Sequence, residues 1–137
     1  MNGFVIKQQT PSLNDYQNAC RSHWSKGSKF KGEIEEAISW YIKRALLKGT
    51  LIPVSYQVDI VFEWHERTLK RDTDNIQSGQ KFIIDAMRSQ GIIQNDSRKY
   101  VNQIYHQIID GSKEDFVVVK LYRAGEVKLI LPVEDKE

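Results

Sequence analysis

The chain has one cysteine, three prolines, and almost no surplus of either charge. Cys20 alone cannot close an intramolecular disulfide. Most zinc sites take at least two or three cysteines, so neither a disulfide scaffold nor a zinc module is expected. A net charge of +2 gives no general affinity for polyanions. No run approaches the ~18 apolar residues of a membrane span. The N-terminus also lacks the basic start and continuous apolar core of a signal peptide. The expectation is a cytosolic (cytoplasmic) chain with no membrane partner. Walker loop, dinucleotide fingerprint, Ser/His/Asp arrangement, internal repeat and low-complexity segment are all absent. His23, His65 and His106 share no metal-ligand spacing, and each reads as a surface or sheet residue.

What is present is 40% hydrophobic and 28% charged over 137 residues, the composition of one soluble globular domain spanning 1–137. The charges are unevenly placed. Arg21, Lys26, Lys29 and Lys31 form an acid-free basic run, Arg67, Lys70 and Arg71 a second, and Arg98 with Lys99 a third. A solitary run is either a solvated face or a phosphate contact. The second and third bracket a set of acids, which favours phosphate.

Periodicity gives the elements. Residues 3–7 read as a short strand. Helical turns are possible over 13–21, followed by a basic loop in which Trp24 and Phe30 either stack on a nucleic-acid strand or dock on the core. From 32 to 48, Ile34, Ile38, Tyr41, Ile42, Ala45 and Leu46 make one helical stripe, with glutamates at its start and Gly49 at its end. After Pro53 the period becomes two, with Val54, Tyr56, Val58, Ile60, Phe62 and Trp64 on one face of a strand. A second helix is expected from 74 to 90. Residues 100–109 and 116–122 read as strands joined as a hairpin through Asp110-Gly111, with a last short strand over 127–131. The predicted class is α+β, a mixed β-sheet with two main helices packed on it, in the order β-α-β-α-β-β.

The stretch 70–99, KRDTDNIQSGQKFIIDAMRSQGIIQNDSRK, carries the chemistry. One of Asp72 and Asp74 can be explained as a helix cap, favoured over alanine by about 1 kcal/mol, but one cap accounts for one acid. Residues two apart in an extended segment point the same way. Two such carboxylates repel unless a cation or base compensates. Mg²⁺, which takes one or two carboxylates plus waters and phosphate oxygens, is the natural ion. Lys81 lies two turns beyond Asp74, about 10 Å along a helix, within reach of a neighbouring phosphate.

The motif R-D-T-D-N, then Lys81, Asp85 and Ala86 as K-x-x-x-D-A, then Gly91 and Asp96 as G-x-x-x-x-D, resembles the RusA-type Holliday junction resolvases of phages and prophages. The N-terminal PSLNDYQNA segment, an amphipathic helix and a strand leading into the motif follow in the same order. The resemblance implies a RusA-like fold and a Mg²⁺-dependent endodeoxyribonuclease, with Mn²⁺ as a possible substitute. It further implies a homodimer that resolves four-way DNA junctions by paired nicks in recombination and repair. Asp72, Asp74 and Asp96 correspond to the metal-binding aspartates and Lys81 to the catalytic lysine. The lysine follows Asp74 by seven residues, three more than the family spacing, with Ser78 and Gly79 in the added stretch. Lys70, Arg71, Arg98, Lys99, Lys26 and Lys29 are the candidate DNA contacts.

An unbroken helix over 74–90 would run about 24 Å. The steps from Gly91 to Asp96 span at most about 17 Å. Asp96 would then complete the site of the partner subunit, unless the helix breaks at Gly79. Two other readings remain open. One is a non-catalytic DNA-binding or regulatory module in which an aspartate merely caps a helix, and the other is a nuclease for a different branched DNA.

Overall fold

A computed structural model describes residues 1–127, apart from the Trp24 side chain. The elements are β1 (Asn2–Ile6), α1 (Leu13–Ser22), α2 (Trp24–Lys48), β2 (Val58–Glu66), α3 (Thr73–Ser78), α4 (Gln80–Ser89), β3 (Val101–Asp110) and β4 (Phe116–Arg123). The class is α+β, as the periodicity indicated. The four strands form one mixed sheet in the order β1-β4-β2-β3. The expected strand over 127–131 lies almost wholly outside the described residues.

Three expectations change. First, β3 and β4 are not a hairpin. β2 lies between them, parallel to β3 and antiparallel to β4. The reason is burial: Val58, Ile60, Phe62 and Trp64 are fully buried, so β2 takes an interior position with both edges paired. The loop after β3 therefore passes the end of β2. There Ser112 N–H donates to the Glu66 carbonyl (3.3 Å) and Arg67 N–H to Asp115 Oδ1 (2.7 Å).

Second, the basic stretch 21–31 is not a loop, because α2 begins at Trp24 and carries Lys26, Lys29 and Lys31 on its first turns. Gly27, within this stretch, has a packing role. A Cβ there would lie 2.3 Å from Cys20 Sγ and 3.2 Å from Cys20 Cα, so α1 and α2 approach closely only because residue 27 has no side chain. Phe30 faces inward, 6.3 Å from the Tyr16 ring and against the core. Gly27→Ala is expected to lower stability by about 1–3 kcal/mol. Urea unfolding measures this, and adding Cys20→Ala should recover part of the loss. Equal stability of Gly27→Ala and the parent would remove the packing explanation.

Third, the helix expected over 74–90 is two helices meeting at Gly79, which keeps helical dihedrals (φ −61, ψ −17). Its missing Cβ would meet Thr10 Cγ2 at 3.0 Å and the Pro11 carbonyl oxygen at 3.3 Å. Residues 10 and 11 press onto the chain here, so any side chain at 79 would have to displace them by a few tenths of an ångström.

The helices cover one face of the sheet, where Ile38 and Ile42 of α2 and Phe82, Ile83, Ala86 and Met87 of α4 join the strands in one core. The opposite face is half-buried and carries Val61, Glu63, His65, Val118 and Lys120. Burial works against the Glu63 charge, but Lys120 and His65 outweigh it and hold the carboxyl below its ordinary range. Among the described residues, no helix is long and apolar enough to cross a membrane.

Candidate active site around the acidic stretch

β2 delivers the chain to the site, and its last residue begins the scaffolding. Glu66 is 3% exposed, a burial a carboxylate tolerates only when paired. Arg71 pairs with it in a fork, Nε to Oε1 at 3.1 Å and a terminal nitrogen to Oε2 at 3.0 Å, while its other terminal nitrogen donates to the Thr10 carbonyl at 2.8 Å. Arg71 was an expected DNA contact. The structure ties it to the end of β2 and to the segment before α1.

The segment before α1 forms the floor of the loop that carries the aspartates. Ser12 caps α1 in a reciprocal box with Asp15. Leu13 N–H then donates to Ser78 Oγ (3.1 Å), and Asn14 Nδ2 to Asn75 Oδ1 (2.7 Å). Ser78 also donates to the Asn75 carbonyl (2.7 Å). So Ser78, in the stretch longer than the family spacing, ties α3 to the start of α1.

Asp72 and Asp74 stand exposed on this platform. Asp72 occupies the N-cap position of α3 (φ −69, ψ 153), yet its side chain makes no capping hydrogen bond. Asp74 Oδ1 accepts only the adjacent Asn75 N–H, at 3.0 Å. The capping explanation therefore leaves the Asp72 carboxylate uncommitted.

Asp96 is not stranded at the far end of the helix. Gly91 takes a left-handed conformation (φ +75), and the buried Ile92 and Ile93 draw the chain back along α4. Asp96 there meets Arg88 (3.8 Å) and Lys81 (3.8 Å) of its own chain. From Gln90 back to Lys81 is about 14 Å of helix, inside the reach of the 91–96 segment. This cis placement removes the length argument for a site completed by a partner subunit. Lys81 also holds Asp85, a nearly buried carboxylate, at 3.2 Å. The i, i+4 spacing of Lys81 and Asp85 could have signalled that pair; Glu66, Thr10 and Arg88 carried no local signal.

The structure thus brings Lys81, Asp85, Arg88 and Asp96 together along α4, and leaves Asp72 and Asp74 on the loop platform. Asp74 already lies in the first turn of α3, so the extended segment expected to point the two carboxylates the same way is absent. Among the described residues, no cluster of three or more His, Cys, Asp or Glu side chains is arranged to hold a metal ion. The Asp72–Asp74 pair fits the donor set of a Mg²⁺ that keeps waters and takes phosphate oxygens, because both are exposed carboxylates and the Asp72 side chain serves no cap.

The remaining basic residues scatter. Lys70 is exposed beside the loop, and Lys29 pairs loosely with Glu33 (3.9 Å) on α2, with Lys26 exposed one turn earlier. Arg98 and Lys99 are exposed at the start of β3, where Val58 N–H donates to the Tyr100 carbonyl. β2 and β3 are parallel, so this pair sits near the beginning of β2, about 26 Å from Glu66. The second and third basic runs therefore lie toward opposite ends of β2, while the first is carried by α1 and α2.

A half-buried network supports the start of α4. Trp64 Nε1 donates to His106 Nδ1 (2.9 Å), and His106 Nε2 lies 3.0 Å from Gln80 Oε1. Because Nδ1 accepts, the ring is neutral with its proton on Nε2, donating to Gln80. Burial lowers the His106 pKa below its ordinary 6.5. The unfolded chain then binds this proton more readily than the folded one, so the contribution is full above about pH 6.5 and declines as pH falls toward the folded value. His106→Gln should flatten the fall in melting temperature between neutral and mildly acidic pH, as thermal denaturation across that range would show. An unchanged slope would place the acid sensitivity elsewhere.

No protein-family model matches the chain, and no curated protein matches it in sequence.

Proposed function

We propose that the chain is a Mg²⁺-dependent, structure-specific endodeoxyribonuclease that resolves four-way DNA junctions, as the resemblance of the 70–99 motif to RusA-type resolvases implies. The observation that carries the reading is the pair of exposed carboxylates, Asp72 and Asp74, on a loop braced by three hydrogen bonds to residues 10–14, the first in a cap position without a cap bond. Two like charges on so short a segment cost free energy unless a cation joins them.

In this reading Asp72 and Asp74 hold the ion, with Asp96 joining once DNA phosphate competes for Lys81 and Arg88. A bound Mg²⁺ would supply an activated water and polarise the scissile phosphate. Lys81, 54% exposed, neutralises charge developing on that phosphate. Glu66 and Arg71 position the aspartates and do not touch substrate. Lys70 and the exposed lysines of α2, Lys26 and Lys29, follow the DNA backbone, and Arg98 and Lys99 meet an arm farther along the sheet. A homodimer would place two such sites on a junction of matching symmetry.

A second reading is favoured by one finding. No three acidic or imidazole side chains converge as a metal cluster among the described residues, which suits a DNA-binding module without catalysis. Incubating a labelled synthetic junction, beside linear duplex, with Mg²⁺ and with EDTA separates the two. Paired nicks confined to the junction and lost in EDTA support the nuclease. Binding without cleavage under Mg²⁺ or Mn²⁺ supports the module. Binding in either case should weaken steeply with salt, because phosphate contacts release counterions.

A further inference from the structure

Helix α2 is 25 residues long and packs on α1, α4 and β1 along one side. Its other side carries Trp40, 54% exposed, and Leu47, 90% exposed. Glu33, Glu36, Trp40, Lys43, Arg44 and Leu47 recur at three- and four-residue steps, so they form one stripe, and all six are exposed. The charges along it are sorted, with acids toward the N-terminal half and bases toward the C-terminal half. The helix dipole accounts for that sorting but not for two large apolar side chains in the middle and at the end of a solvent-facing stripe.

We propose that this stripe is the surface on which two copies of the chain pair, with their α2 helices antiparallel about a two-fold axis at Trp40. The charge order selects both the occupant and the direction. Under that axis Trp40 meets its symmetry mate, Glu36 meets the partner's Arg44, and Glu33 meets the partner's Leu47 and Lys48. A parallel pairing would set acid against acid and base against base along the whole stripe. Arg44 is already ordered for the role, its guanidinium carbon 5.3 Å from the Trp40 ring centroid. It would keep that stacking while reaching the partner's carboxylate. Each such contact occurs twice in an isologous pair, so one charge reversal counts double. The inference stands apart from the nuclease reading, which could fail while the pairing holds.

Sedimentation velocity of the whole chain across a hundredfold concentration range, without DNA, tests it. The parent should pass from monomer to dimer. Leu47→Glu should move that transition about tenfold or more upward in concentration, a loss of about 1.4 kcal/mol. Glu36→Arg and Arg44→Glu should each weaken pairing, and the two together should restore it, because the reversed stripe is again self-complementary. All three positions are exposed, and far-UV circular dichroism verifies that the fold is kept. A chain that stays monomeric throughout, or a dimer indifferent to these substitutions, overturns the surface. A double reversal no better than the single ones overturns the antiparallel register.

Discussion

Asp74→Asn should leave the chain as stable as the parent within about 0.5 kcal/mol while slowing junction cleavage by about 10²–10³-fold, with junction binding retained. The separation follows from the geometry. Asp74 is exposed, and its one hydrogen bond, from Asn75 N–H to Oδ1, is equally available to an asparagine oxygen. What asparagine loses is the negative charge, which a cation ligand needs and which the first turn of α3 uses only for about 0.3–0.5 kcal/mol. A loss of about 3–4 kcal/mol of transition-state stabilisation corresponds to that fall in rate. Asp72→Asn should behave alike, because the side chain makes no capping bond whose loss would cost the usual ~1 kcal/mol. Thermal melts, gel-shift binding and single-turnover cleavage on the same preparations give the three readouts. A normal cleavage rate in both variants would show that these carboxylates do not hold the ion. A large fall in melting temperature with unchanged chemistry would return them to a structural role.

The contrast between these aspartates and their supports shows what the sequence could reveal. Two acids at short spacing between basic residues are a local pattern. So are the strand alternation, buried from Val58 to Trp64 although Tyr56 of the expected face is exposed before β2 begins, and the α2 stripe, of which Ile38, Ile42 and Ala45 are buried and Ile34, Tyr41 and Leu46 partly so. Elements whose identity depends on long-range fit were less legible. Gly27 and Gly79 look like chain breakers in sequence, yet each is the point where another segment comes within contact distance. The strand order was hidden for the same reason, since a turn signal at Asp110-Gly111 says that the chain reverses but not which strand it reverses beside. Glu66 and Arg71 are five residues apart on unlike segments, and their pairing depends on where Thr10 lies, sixty-one residues from Arg71. Asp96 reached Lys81 through the burial of Ile92 and Ile93, which a count of residues along a straight helix does not include.

Arg71→Ala should produce the largest stability loss of any single change at the site, about 3–5 kcal/mol. It leaves the Glu66 carboxylate, 4% exposed in its side chain, without a partner at the end of an interior strand. It also removes the donor to the Thr10 carbonyl, which joins the aspartate loop to the segment before α1. Arg71→Lys should fall between, because an ammonium cannot reproduce a fork that meets both carboxylate oxygens and a third acceptor. The informative variant is the double change Glu66→Leu with Arg71→Met. Replacing both members of a buried pair by apolar side chains of similar volume commonly restores stability, so urea unfolding should return most of what Arg71→Ala lost. Cleavage should not return, since neither new side chain holds the loop to Thr10 and the aspartates lose their fixed spacing. If both stability and cleavage recover, the ion pair only fills space. If Arg71→Ala costs less than about 1 kcal/mol, the loop is held instead by the Leu13–Ser78 and Asn14–Asn75 bonds. Stability regained without activity would identify Glu66 and Arg71 as positioning residues, because the fold tolerates their loss as a pair and the spacing of the aspartates does not.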